Sequence, residues 1–122
     1  MTPGRRAIAE EGKPPTYDMV RALASKLPGV EEGTSYGTPA LKVRGKLFAR
    51  LKEDGETLVL RCGAFDRAHL LETDPDVFFI TEHYRDYPWV LVRLAAVPTA
   101  RLPELLEEAW RQVAPKSLLR SR

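Results

Sequence analysis

The chain has 122 residues, 43% of them apolar and 30% charged, with 19 Lys and Arg against 17 Asp and Glu. That length suits one domain with one core, and a net charge of +2 does not by itself announce a nucleic-acid or membrane partner. The single cysteine, Cys62, excludes a disulfide framework and a multi-cysteine zinc site, and no apolar run is long enough to cross a bilayer.

In chain order, residues 1–15 read as a flexible tail, because Arg5-Arg6, Glu10-Glu11 and Pro14-Pro15 leave little to bury. They also lack the apolar stretch of a signal peptide, so the expectation is a soluble, cytoplasmic protein. Thr16 is placed to cap a helix over about 17–27, with Met19, Val20, Leu23, Ala24 and Leu27 at helical spacing and Pro28-Gly29 as its stop. Residues 31–38 read as a polar loop. Strands follow at about 39–43, 46–52 and 57–62. Residues 64–73 read as a helix stopped by Asp74-Pro75, 77–81 as a β-rich run, and 81–88 as a polar, aromatic loop. A strand at 88–94 points Val90, Val92 and Leu94 inward. Leu102, Leu105, Leu106, Ala109 and Val113 form a last helical stripe that Pro115 ends. Residues 117–122 read as a basic tail, leaving 16–116 as the domain.

Hairpin signals fix a register. Asp54-Gly55 predicts a type I′ turn pairing Lys52 with Thr57 and Ala49 with Leu60, which separates an apolar from a mostly polar face. Around Gly45 a three-residue loop, pairing Leu41 with Leu47 and Lys42 with Lys46, keeps the faces separate where a two-residue loop would mix them. The expected fold is α+β: a two-layer domain with an antiparallel five-stranded sheet, helices on one face, in the order α-βββ-α-ββ-α.

The face away from the helices then collects Lys42, Lys46, Phe48, Arg50, Lys52, Val59 and Arg61, with Trp89, Leu91 and Arg93 joining from the late strand. Cations interleaved with rings suit phosphates and bases, so the first functional reading is nucleic-acid binding, with DNA and RNA both open, through Lys42, Arg44, Lys46, Phe48, Arg50, Arg61, Trp89 and Arg93. The competing reading is a solvated antiparallel face. A second functional reading is small-molecule or anion binding beside residues 81–88, where His83 and Arg85 sit among acids and tyrosines. A third is a protein-interaction domain, including a homodimer closed through Trp89 and Leu91. Cys62 faces the apolar side and matches no nucleophile motif. His69 and Asp66 do not complete a metal site, and no phosphate-binding glycine loop is present. No catalytic residue, metal or cofactor is expected.

Leu27-Pro28-Gly29-Val30-Glu31-Glu32, then Ser35-Tyr36-Gly37-Thr38-Pro39 and Lys42-Val43-Arg44-Gly45-Lys46-Leu47-Phe48, resemble the MmcQ/YjbR-like family of small bacterial proteins. Pro88-Trp89-Val90-Leu91-Val92 and Ala109-Trp110-Arg111-Gln112-Val113-Ala114-Pro115 continue the likeness over about residues 16–116. Many members carry a His-Trp step near the late strand; here the step reads Pro88-Trp89, with His83 upstream. The resemblance implies a frataxin-like α+β fold, a double-wing DNA-binding arrangement with the two hairpins as wings, and neither an established enzyme activity nor a cofactor.

Overall fold

A computed structural model describes residues 14–120. The N-terminal tail expected over 1–15 therefore lies, apart from Pro14 and a buried Pro15, outside the described residues. Helix α1 (Tyr17–Ala24) is capped by Thr16, whose Oγ1 accepts the Met19 N–H. Four strands follow: β1 (Val30–Ser35), β2 (Thr38–Val43), β3 (Lys46–Leu51) and β4 (Thr57–Arg61). Helix α2 (Ala64–Thr73) crosses to β5 (Phe78–Phe79), and β6 (Trp89–Arg93) returns to lie between β5 and β4. Helices α3 (Leu102–Arg111) and α4 (Lys116–Leu119) end the description.

The α+β class is as expected, but the sheet has six antiparallel strands in the order β1-β2-β3-β4-β6-β5, not five. The missed strand is β1, whose Glu31, Glu32, Gly33 and Thr34 are all exposed. An edge strand pairs on one side only and needs no apolar alternation, so its sequence reads as a loop. The basic tail expected from 117 is likewise corrected within the described residues, since Leu118 and Leu119 of α4 pack against the core.

Both hairpin predictions need correction. The β3–β4 pairing holds, with Ala49 opposite Leu60 and Leu51 opposite Leu58. Its turn is not type I′, because only Gly55 (φ +73°) is left-handed. The Asp54 carboxylate closes the loop instead, accepting the Glu56 N–H at 2.8 Å, the Thr57 N–H at 2.9 Å and the Thr57 hydroxyl at 2.8 Å. Burial alone would raise its pKa, yet these hydrogen bonds hold it below the ordinary value of 3.8. Asp54→Ala is expected to cost about 1 kcal/mol at neutral pH in urea unfolding. That deficit should shrink as the pH falls through the depressed value, because the wild type then loses the same bonds.

The β2–β3 turn is the rejected two-residue one. Val43 pairs with Lys46 around Arg44 (φ +50°) and Gly45 (φ +81°), the type I′ pattern. The face-mixing that argued against it is resolved by a β-bulge. Leu41 opposes Ala49 but Lys42 opposes Leu47, so Phe48 is the extra residue and turns inward. Phe48, expected on the open face, is fully buried in the core. Leu47 takes its place on the other face.

The core lies between the sheet and the helices. Leu41, Val43, Leu58, Leu60, Val90 and Val92 meet Val20 and Ala24 of α1 and Leu102, Leu106 and Trp110 of α3. Trp110 is the largest fully buried side chain, and its indole N–H donates to the Pro28 carbonyl at 2.8 Å.

Candidate functional site

The sheet face away from the helices is not an open plane. Ala40, Val59 and Leu91 point to that side, outside the main core, and are at most 1% exposed. Residues 81–88, which include a short 3-10 turn (Glu82–Tyr84), form a strap over this face between β5 and β6. Its anchor is Arg67 on α2, whose guanidinium donates to the carbonyls of Tyr84 (3.1 Å), Arg85 (2.7 Å), Tyr87 (2.8 Å) and Trp89 (3.1 Å). A lone arginine on a helix, as Arg67 is, carries no sequence signal of a loop gathered around it.

Between strap and sheet is a cavity of about 650 Å³. Leu47, Arg50, Lys52 and Val59 line it from the sheet side, Tyr36 from the β1–β2 turn, and Thr81, His83, Tyr84, Tyr87 and Trp89 from the strap and the start of β6. Arg50 is only 6% exposed. It donates to the Thr38 hydroxyl at 2.9 Å, the Leu51 carbonyl at 3.3 Å and the Tyr84 hydroxyl at 3.2 Å, and it lies 3.6 Å from the Glu53 carboxylate. The Tyr36 ring sits 5.2 Å from its guanidinium carbon. Glu53 is exposed, and its carboxyl is held below the usual range, chiefly by a hydrogen bond from its own backbone N–H and also by Arg50 and Lys52.

The other residues singled out from sequence are dispersed. Arg44 and Lys46 are exposed at the β2–β3 turn. Lys42 is half-buried, directly across from Glu31. Arg61 stacks over Trp89 at 5.4 Å, with its Nε buried and lacking a hydrogen-bond partner. Arg93 folds over Phe79 at 4.2 Å and donates to the carbonyls of Pro75 and Asp76. The expected continuous cationic surface is thus broken by carboxylates, rings and burial. His83 lines the cavity edge-on to Tyr84, whereas Arg85 pairs with Glu82 and faces solvent.

Cys62, Asp66 and His69 line a second, smaller cavity of about 350 Å³ beside Glu104 and Glu108. Burial first, then the Asp66 carboxylate, pushes the Cys62 thiol up to about 11, against the opposing pull of Arg67. A protonated thiol is a poor nucleophile, so Cys62 should react with iodoacetamide at pH 8 about 100-fold more slowly than an exposed cysteine. No cluster of three metal-ligating side chains occurs among the described residues.

The fold and cleft define a small α+β protein with a ring-lined hollow on the strap side of its sheet. The chain belongs to the YjbR family, whose model matches residues 25–112. It is 46% identical over 52 residues to the uncharacterised protein Mb2600 of Mycobacterium bovis and to the uncharacterised protein Rv2570 of Mycobacterium tuberculosis. Those matches cover 43% of this chain and 40% of each relative, so the chain spans less than half the length of the curated relatives it matches. The crystal structure of Deinococcus radiodurans protein DR2400, of the DUF419 domain family, superposes with a TM-score of 0.71 at 24% identity, covering 87% of this chain and 86% of that one. That likeness shows the fold. No described helix is long and apolar enough to cross a membrane.

Proposed function

We propose that this protein binds a small, planar aromatic anion in the cleft between strap and sheet. The observation that carries the reading is the cavity itself. Its volume of about 650 Å³ falls within the range of about 300–1,000 Å³ usual for ligand pockets. Five rings, Tyr36, His83, Tyr84, Tyr87 and Trp89, line it together with two cations, Arg50 and Lys52, against one carboxylate, Glu53. Rings offer stacking faces, and with Glu53 set against Arg50 at 3.6 Å, Lys52 leaves the cleft one excess positive charge that an anion completes. The reading is of binding and not of catalysis, because the pocket lining offers no paired nucleophile and base.

Isothermal titration with three probes tests this. Naphthalene-2-sulfonate should bind with a Kd of about 1 mM or below, as follows from about −0.3 kcal/mol per heavy atom for a ligand in a formed pocket. Cyclohexanesulfonate has a puckered, saturated ring with no π face and benzyltrimethylammonium carries the wrong charge, so both should bind at least about tenfold more weakly. Equal affinity for all three, or none for any, contradicts the reading.

Exposed Arg44 and Lys46 on one hairpin tip favour nucleic acid as the second reading, with that hairpin as a wing. With these two cations making the phosphate contacts, log K should fall against log salt with a slope near −2. The double variant Arg44→Glu, Lys46→Glu should abolish binding to duplex DNA while changing stability by less than about 0.5 kcal/mol. A DNA affinity untouched by that variant, or absent at low salt in the wild type, removes this reading.

A further inference from the structure

Tyr36 sits where a tyrosine is out of place. It is the first central residue of the two-residue β1–β2 turn, between paired Ser35 and Thr38, with φ +54° followed by Gly37 at +79°. Such turns favour Asn, Asp or Gly, and a bulky residue held left-handed is strained. Burial does not compensate, since Tyr36 remains 83% exposed. The ring's one marked contact is the Arg50 guanidinium at 5.2 Å, across the cleft mouth. A cation–π contact to so exposed a ring is too weak to offset that strain. Strain that the folded protein does not recover is the kind found where a side chain serves a ligand.

We infer that Tyr36 is a specificity-determining residue of the cleft, supplying one stacking face for the ring of a planar aromatic anion whose charge is drawn to Arg50 and Lys52 together. This deepens, and rests on, the cleft-binding reading given above. The ring lies on the entry side, so a flat ligand slides beneath it and replaces solvent on its inner face. A ligand bearing the charge but no ring gains nothing from Tyr36.

The turn geometry supplies its own control, because Asn fits φ > 0 where Tyr is strained. In Tyr36→Asn the melting temperature should hold or rise by a few degrees, while affinity for naphthalene-2-sulfonate falls about 5- to 10-fold and that for cyclohexanesulfonate stays unchanged. Tyr36→Phe, which keeps the ring, should bind as the wild type does. Wild-type binding with no loss in Tyr36→Asn overturns the role of Tyr36 and leaves the cleft reading standing. A melting temperature lowered by several degrees in Tyr36→Asn overturns it too, by showing that the tyrosine is held for stability. If naphthalene-2-sulfonate fails to bind the wild type, the cleft reading fails and this inference goes with it.

Discussion

Arg50→Glu is expected to destabilise the fold by about 3–5 kcal/mol, read from urea unfolding at neutral pH. The residue is buried, and its guanidinium satisfies the hydroxyls of Thr38 and Tyr84 and the carbonyl of Leu51. A carboxylate there would lack those donations and stand near Glu53, whose charge Arg50 now balances at 3.6 Å. Burying an unpaired charge beside one of like sign is among the few single changes of this size. Arg50→Met removes the charge but keeps much of the stem's packing, and should cost only about 1–2 kcal/mol. It should remain folded and lose selectivity for anions. If Arg50→Glu instead unfolds like the wild type, the buried position and the hydrogen bonds assigned to it are wrong.

Arg67→Ala should destabilise by about 2–3 kcal/mol, with its largest effect confined to residues 81–88. One guanidinium collects three strap carbonyls and that of Trp89 at the start of β6, and no other side chain among the described residues donates a hydrogen bond to the strap backbone. Its loss releases four acceptors at once and frees the segment that roofs the cleft. Amide hydrogen exchange should therefore accelerate in the strap well before it does in β3 or β4. Arg67→Lys should rescue little, since an ammonium is a compact charge and cannot spread a planar fork over four carbonyls. Exchange that quickens equally everywhere, or nowhere, would show that the strap is held by something else.

These two arginines also show where sequence reasoning reached and where it stopped. Helix spacing, the Asp74-Pro75 stop and the inward set Val90, Val92 and Leu94 were legible because burial imposes a period on the chain, although α1 ends at Ala24, short of the residue 27 expected from the Pro28-Gly29 stop. The β3–β4 register was legible for the same reason, though its turn was not. Asp54 closes that loop by hydrogen bonding, which a dipeptide signal does not reveal. The β2–β3 hairpin failed through Phe48, because a bulge adds one residue and reverses every face before it. Alternation alone cannot announce such an insertion. The site failed more broadly: Arg50 and Arg61 were legible as sharing the non-helical face, but not the strap that covers it. That cover depends on Arg67 reaching across 17 to 22 residues of chain to its carbonyls, a contact between elements with no local pattern.

The most direct test of the cleft as a binding site uses the chain's two tryptophans. Trp89 lines the cavity, whereas Trp110 is fully buried with its indole N–H bonded to Pro28. In ¹⁵N–¹H spectra recorded during titration with naphthalene-2-sulfonate, the Trp89 indole cross-peak should move in a saturable way while that of Trp110 stays still. A Trp89 cross-peak that never moves, or one that moves only together with that of Trp110, would contradict binding in the cleft.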